Sequence, residues 1–91
     1  MFKWMITKDI INAGRLNKKS FNFPDSEITN LTNKFKLYDD DDNLYFEGIA
    51  QELGDDDDPE DEFNPLDWAM NDCGCTYIKY YNKKTKAWDT L

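Results

Sequence analysis

Apolar and polar positions alternate in several short runs along this chain. The alternation covers residues 2–7, 34–38 and 44–49, and residues 75–81 and 87–91 are also strand-like. A period of two is typical of a β-strand with one buried face. We therefore predict an antiparallel sheet of about five strands.

Two polar stretches lie between consecutive strand-like runs. The first, Asp39 to Asn43, predicts a hairpin tip, because Asp and Asn tolerate left-handed backbone and bond to their own backbone. The second, Asn82 to Lys86, predicts the turn of a hairpin at the C-terminal end.

The pattern also predicts one or two short helices. Thr7 is suited to cap a helical turn over residues 8–13 that ends at Gly14. Asp25 could cap a helix carrying Ile28 and Leu31, but the Thr and Asn residues around them are poor helix formers. We therefore interpret residues 15–33 mostly as loop.

A second helix is better marked. Asn64 has the chemistry of an N-cap, Pro65 suits the first helical position, and Gly74 is the expected stop. Leu66, Ala69 or Met70, and Cys73 would then share one face. Residues 51–63, which precede this helix, have no apolar period and are interpreted as an acidic loop. The expected fold class is α+β, with residues 1–91 forming a single domain.

Fourteen aromatic residues in 91 give a small domain enough apolar surface for a core. The N-terminal residues lack the long apolar region of a signal peptide, and no run approaches the roughly eighteen apolar residues of a membrane span. The two cysteines are too close together to frame a disulfide scaffold, which favours a cytoplasmic location.

Charge is segregated along the chain, although the net charge is −8. Residues 39–72 hold fifteen acids and no Lys or Arg, whereas the segments before and after carry net charges of +4 and +3. An acidic face built from residues 39–62 and 67–72 would attract a basic protein surface, and the sharper form of this hypothesis is a nucleic-acid-binding enzyme inhibited by charge mimicry. Net charge argues against direct binding of nucleic acid or membrane. The predicted partner-binding residues are Asp39, Asp40, Asp41, Asp42, Glu47, Asp55, Asp56, Asp57, Asp58, Glu60, Asp61 and Glu62.

Two alternatives explain the same carboxylates. Asp39, Asp41 and Asn43 have the spacing that opens an EF-hand loop, but Leu44 and Ala50 stand where Gly and Glu are required. A looser calcium site could use Asp55 to Asp58 or Glu60 to Glu62. The other alternative is an acidic loop that serves only solubility and protects sheet edges.

The amino-acid composition and motifs give little support to catalytic activity or to cofactor binding. The chain has no His, the usual general base near neutral pH, and no phosphate-cradling glycine loop. Cys73 and Cys75 could chelate a soft metal, but we interpret them as structural because thiolates and imidazoles within one chain cannot complete a zinc site. Lys79, Lys83, Lys84 and Lys86 could form a small cationic patch, although decoration of a hairpin is the simpler interpretation. We predict a non-enzymatic protein without metal or cofactor.

The segments Phe35 to Asp41, Leu44 to Gly48, Pro65 to Asp67 and Gly74 to Ile78 together resemble a pattern in small uncharacterised bacterial or mobile-element proteins. The resemblance spans most of residues 2–91. It implies a bacterial or mobile-element setting and no activity.

Overall fold

An antiparallel β-sheet dominates the fold. The computed structural model describes residues 2–21, 31–53 and 58–91, and within these ranges six strands form one sheet in the order β2-β1-β4-β3-β5-β6. The strands are β1 (Trp4–Asp9), β2 (Lys19–Phe21), β3 (Asn33–Tyr38), β4 (Leu44–Ala50), β5 (Tyr77–Asn82) and β6 (Ala87–Thr90). A 3-10 helix (Pro59–Phe63) and helix α1 (Asn64–Cys73) form a helical layer on one face. The predicted α+β class is confirmed, with one strand more than the approximate five.

The core lies between this helical layer and the inner face of the sheet. Phe35, Leu37 and Phe46 of the two central strands have no exposed surface, and Leu66 and Ala69 of α1 pack against them. The aromatic side chains at the β1 edge add a second set of contacts. There, Trp4 stacks on Phe21 with ring centroids 3.7 Å apart. The ring centroid of Trp68, on α1, lies 5.6 Å from that of Trp4 and 5.2 Å from that of Phe21. These contacts are expected to hold α1 onto the sheet.

Gly48 allows the central strands to approach each other. It pairs with Phe35 on one side and with Ile6 on the other. A Cβ at this position would lie 2.2 Å from Cζ of Phe35 and 2.5 Å from the carbonyl oxygen of Met5. The Phe35 ring therefore occupies the space that any larger residue would need.

The predicted hairpins are confirmed, but the helical turn after Thr7 is wrong. Strand β1 continues to Asp9, and residues 10–18 form turns in which Gly14 has the expected positive φ of 80°. The carboxylate of Asp9 accepts hydrogen bonds from the backbone N–H groups of Asn12 and Leu16 at 3.0 and 3.1 Å. Asp9 is 4% exposed, so this buried carboxylate organises the turns in place of Thr7.

Strand β2 lies inside the stretch that the sequence suggested was mostly loop. It is three residues long and pairs with β1 at the edge of the sheet. A strand this short carries too few positions for alternation to be recognised. Asp25 and Ile28, the start of the other predicted helix, lie outside the described residues; Leu31 is buried.

Helix α1 ends as predicted and begins differently. Gly74 closes it in a left-handed conformation with φ of 79°, and Pro65 is within its first turn. Asn64 is not a side-chain cap, because the 3-10 helix runs directly into α1 and Asn64 is already helical. This 3-10 helix also corrects the prediction of a loop through Phe63. Met70 is 52% exposed, so Ala69 alone of the two alternatives faces the core.

The outer face of the sheet, opposite the helical layer, has a different chemistry. Its side chains alternate with the buried ones and are mainly lysines and aromatic residues: Lys34, Lys36, Tyr38, Glu47, Ile49, Tyr77, Lys79, Tyr81 and Trp88. In the described ranges, no helix combines the length and apolar character required to cross a bilayer.

Candidate acidic interface

The helical layer is rich in acidic side chains. Residues 58–73 contain six acids and no Lys or Arg. Asp58 caps the 3-10 helix by accepting a hydrogen bond from the Glu60 backbone N–H at 2.9 Å, and Asp67 lies in the first turn of α1. Negative charge at these positions is favoured by the unpaired N–H groups of a helix start. Local helix chemistry therefore concentrates carboxylates at the junction of the two helices.

Four of these carboxylates surround one shallow depression. It has a volume of about 440 Å³ and is lined by Asp58, Glu60, Asp61, Asp67, Phe63 and Asn64. Phe63 is 37% exposed, so an apolar ring lies among these acids. Within the described parts of the chain, no Lys or Arg forms an ion pair with any of the four carboxylates. We call this cluster, Phe63 included, the acidic face.

Glu62 of the same 3-10 helix has a structural role. Its carboxylate accepts a hydrogen bond from the Asn33 side chain at 3.3 Å, and its carbonyl accepts one from the Tyr80 hydroxyl at 2.8 Å. Burial raises the pKa of Tyr80, so this hydroxyl stays protonated and remains a donor. Glu62 thus fastens the helical layer to β3 and β5.

The hairpin between β3 and β4 uses one of its four Asp carboxylates within the hairpin and a second in a hydrogen bond to β5. The Asp39 carboxylate accepts hydrogen bonds from the backbone N–H groups of Asp41 and Asn43, each at 2.9 Å. These bonds, led by the one from Asn43, lower the pKa of Asp39. Asp42, in a left-handed conformation with φ of 64°, accepts a hydrogen bond from the Tyr77 hydroxyl. Asp40 and Asp41 are exposed.

The hairpin tip and the acidic face lie at opposite ends of β3. Asn33, which bonds to Glu62, begins this six-residue strand, and Asp39 follows its last residue. At about 3.3 Å per residue, the six steps from Asn33 to Asp39 separate the two groups by about 20 Å along the strand. The structure therefore does not gather the predicted acids into one patch.

The other predicted acids are placed elsewhere. Glu47 lies on the outer face of the sheet, paired in register with Lys8 and Lys36. Glu52, which was not among the predicted site residues, forms an ion pair with Lys83 at 2.9 Å, and this bond lowers the Glu52 pKa. Residues 55–57 of the predicted site lie outside the described residues.

Two members of the acidic face were not among the predicted partner-binding residues. Asp67 lies within residues 67–72 of the predicted acidic surface, and its position two residues after Pro65 predicted the place in the first turn of α1 that it occupies. The sequence indicated Phe63 only as one of four aromatic residues among the acids that could add short-range contact to a partner. It did not distinguish this exposed ring from the buried or partly buried rings of Tyr45, Phe46 and Trp68.

Metal binding gains no support from the described residues, among which no three or more Cys, Asp or Glu side chains are arranged to hold an ion. Cys73 and Cys75 are free thiols. Burial raises the pKa of Cys75 to about 12, so the thiolate that would bind a metal or act as a nucleophile is scarce near neutral pH.

Comparisons of the chain with protein-family models, with curated proteins and with solved structures found no match. The resemblance to small bacterial proteins therefore stays a prediction.

Proposed function

We propose that this chain is a non-enzymatic binding protein that presents its acidic face to the basic surface of a partner protein. The observation that carries the proposal is the depression lined by four acidic residues and the exposed Phe63, in which no described Lys or Arg forms an ion pair with the four acids. Charge of one sign attracts a basic partner over several ångströms and orients it.

Phe63 supplies what a cluster of carboxylates lacks. Clustered charges in water are well solvated and give modest affinity, because removing them from water offsets much of the gain. An aromatic side chain near the centre of a polar ring is a common source of binding energy in protein interfaces. Met70, 52% exposed on α1, adds apolar surface to the same layer.

The sharper form of the proposal is charge mimicry of a nucleic acid. Duplex DNA presents one negative charge for about every 1.7 Å, and proteins that bind it hold Lys and Arg in matching grooves. A small acidic protein can occupy such a groove and exclude the nucleic acid. The two free thiols fit the reducing cytoplasm where such partners act.

The test compares two variants with the same net charge. Glu60→Gln with Asp67→Asn removes two carboxylates of the acidic face, whereas Asp40→Asn with Asp41→Asn removes two exposed carboxylates at the hairpin tip. Each immobilised protein is used to capture partners from a bacterial lysate at about 0.1 M and about 1 M salt, where the Debye length is about 10 Å and about 3 Å. Duplex DNA is then added as a competitor.

We expect the unmodified chain and the hairpin-tip variant to retain the same partner. The acidic-face variant should lose it. High salt should release this partner, and duplex DNA should displace it if mimicry is correct. Equal capture by both variants would show that the acidic face is not the binding surface. A partner that stays bound after duplex DNA is added would support protein binding but not charge mimicry.

A further inference from the structure

The outer face of the sheet concentrates positive charge in one row. The registers place Lys8 opposite Glu47, Glu47 opposite Lys36, and Lys36 opposite Lys79. Lys34 lies two residues from Lys36 on β3 and therefore on the same face. We call Lys8, Lys34, Lys36 and Lys79 the lysine row. Within the described ranges it is joined to no acid by an ion pair.

Sheet stability accounts for only part of this arrangement, because Glu47 faces Lys8 and Lys36 but no acid faces Lys79. Like charges directly opposite on neighbouring strands are unfavourable, and Lys36 and Lys79 are such a pair. The two ammonium groups rest instead on aromatic rings. Lys36 Nζ lies 4.3 Å from the centroid of Trp88, and Lys79 Nζ lies 5.3 Å from that of Tyr38. Each cation is therefore paired with an aromatic surface.

A depression on this face brings charge and apolar surface together. It has a volume of about 510 Å³, and its lining includes Lys8, Lys34, Lys36, Ile49 and Trp88. Beside it, Tyr81 packs on Trp88 with centroids 5.3 Å apart. A ligand that fits this depression has to combine negative charge with flat apolar groups.

We propose that the outer face binds single-stranded nucleic acid, with the lysine row holding phosphates and the aromatic side chains contacting bases. Lys79 lies about 4.8 Å from Lys36 on the neighbouring strand, and Lys34 lies about 6.8 Å from Lys36 along β3. With Lys8, about 9.6 Å from Lys36 across the intervening β4, they form a track for a flexible phosphate backbone. Because an exposed cation–π contact is weak, a phosphate can draw Lys36 from Trp88 and leave the indole for a base. An acidic peptide without aromatic residues would satisfy the lysines but would give the rings no planar partner.

This proposal departs from the expectation, based on net charge, that the chain does not bind nucleic acid directly. Because the acidic face and the lysine row lie on opposite sides of the sheet, net charge misrepresents the local field. The Debye length at physiological salt is about 8 Å, so nearby lysines outweigh distant carboxylates. On the outer face, the four positive charges of the lysine row stand against Glu47 and, at the N-terminal end of β5, Asp42, whose carboxylate accepts a hydrogen bond from the Tyr77 hydroxyl.

The test measures binding of fluorescein-labelled twenty-nucleotide single strands by fluorescence anisotropy over a series of salt concentrations. The variant Lys36→Gln with Lys79→Gln removes two members of the lysine row. The matched control, Lys84→Gln with Lys86→Gln, changes the net charge equally at the exposed turn between β5 and β6. A third variant, Trp88→Leu, removes an aromatic surface and no charge. Circular dichroism melting verifies that each variant folds.

The lysine-row variant should bind at least about tenfold more weakly, and its slope of log affinity against log salt should be shallower by about 0.7 per lysine. The control should bind as the unmodified chain does. Trp88→Leu should weaken binding and leave the slope unchanged, since stacking releases no counterions.

Three results would each overturn the proposal. One is the absence of single-strand binding by the unmodified chain at low salt. Another is an equal loss in the lysine-row variant and its control, which would assign any binding to net charge. The last is equal binding of a duplex of the same length, because the bases of a duplex are not accessible to the aromatic side chains.

Discussion

Replacing Gly48 by Ala tests how closely the central strands are packed. A Cβ at this position would lie 2.2 Å from Cζ of Phe35 and 2.5 Å from the Met5 carbonyl oxygen, whereas real Cβ contacts essentially never fall below 3.0 Å. The ring would have to withdraw by about 0.8 Å, and the β1 backbone by about 0.5 Å. Phe35 has no exposed surface, so its ring cannot swing into solvent.

The expected cost of Gly48→Ala is about 3 kcal/mol in the free energy of unfolding, at the upper end for overpacked cores because one neighbour is backbone. For a domain of this size, that loss lowers the melting temperature by about 12–24 °C. Urea unfolding followed by far-ultraviolet circular dichroism measures this change in the free energy of unfolding. If the slope of that free energy against urea concentration is unchanged, the substitution has altered stability and not the surface exposed on unfolding.

Gly74→Ala is the comparison that separates steric overlap from backbone strain. Gly74 has φ of 79°, and no atom lies within 4 Å of the position that a Cβ would take, so the cost there is conformational, about 1–2 kcal/mol. Combining Gly48→Ala with Phe35→Leu should cost less than the sum of the two single changes, because Leu has no Cζ to meet the new methyl group. A cost of Gly48→Ala no greater than that of Gly74→Ala would refute the steric argument.

Three further predictions follow from perturbed titrations. The hydrogen bonds to Asp39 lower its pKa in the folded state, so their contribution is present above the ordinary pKa of 3.8 and is lost as the pH falls through the lower folded value. The melting-temperature difference between the unmodified chain and Asp39→Ala should therefore narrow in acid; a constant difference would contradict this. The hydrogen bond to Asp42 raises the pKa of Tyr77 to about 12, so stability from this pair should be lost above pH 10, the ordinary tyrosine value. In Asp42→Asn, absorbance titration should show one tyrosine fewer with a raised pKa. A titration curve identical to that of the unmodified chain would argue against the hydrogen bond. A thiol reagent at pH 8 should leave Cys75, 2% exposed, unlabelled until the chain is unfolded, as peptide mass spectrometry would show; rapid labelling of the native protein would contradict its burial.

Much of the fold was predictable because its signals are local. The alternation over residues 34–38 and 44–49, with the Asp-rich turn between them, predicted the β3–β4 hairpin that the structure contains. Gly74 predicted the end of α1, since a left-handed residue there is most easily a glycine. The predictions failed where a contact between residues distant in sequence decides the local conformation. Thr7 could cap a helix, but β4 pairs with that segment and keeps it extended.

The candidate site was predictable only in part. The sequence identified an acidic segment, and Asp58, Glu60 and Asp61 do line one depression. It could not show that Asp39 bonds inward, because those hydrogen bonds depend on the backbone conformation of the folded hairpin tip.

By itself, the sequence determined the fold class, the hairpins, the end of α1 and the large excess of acid between residues 39 and 72, because these depend on neighbours in the chain. Only the tertiary structure decided which charges share a surface. Strand pairing aligned lysines from β1, β3 and β5, which are up to 71 residues apart, and divided the acids between a hairpin tip and a helical layer. Electrostatic interactions act through space, so the order of charges along a chain does not determine the fields of its folded faces.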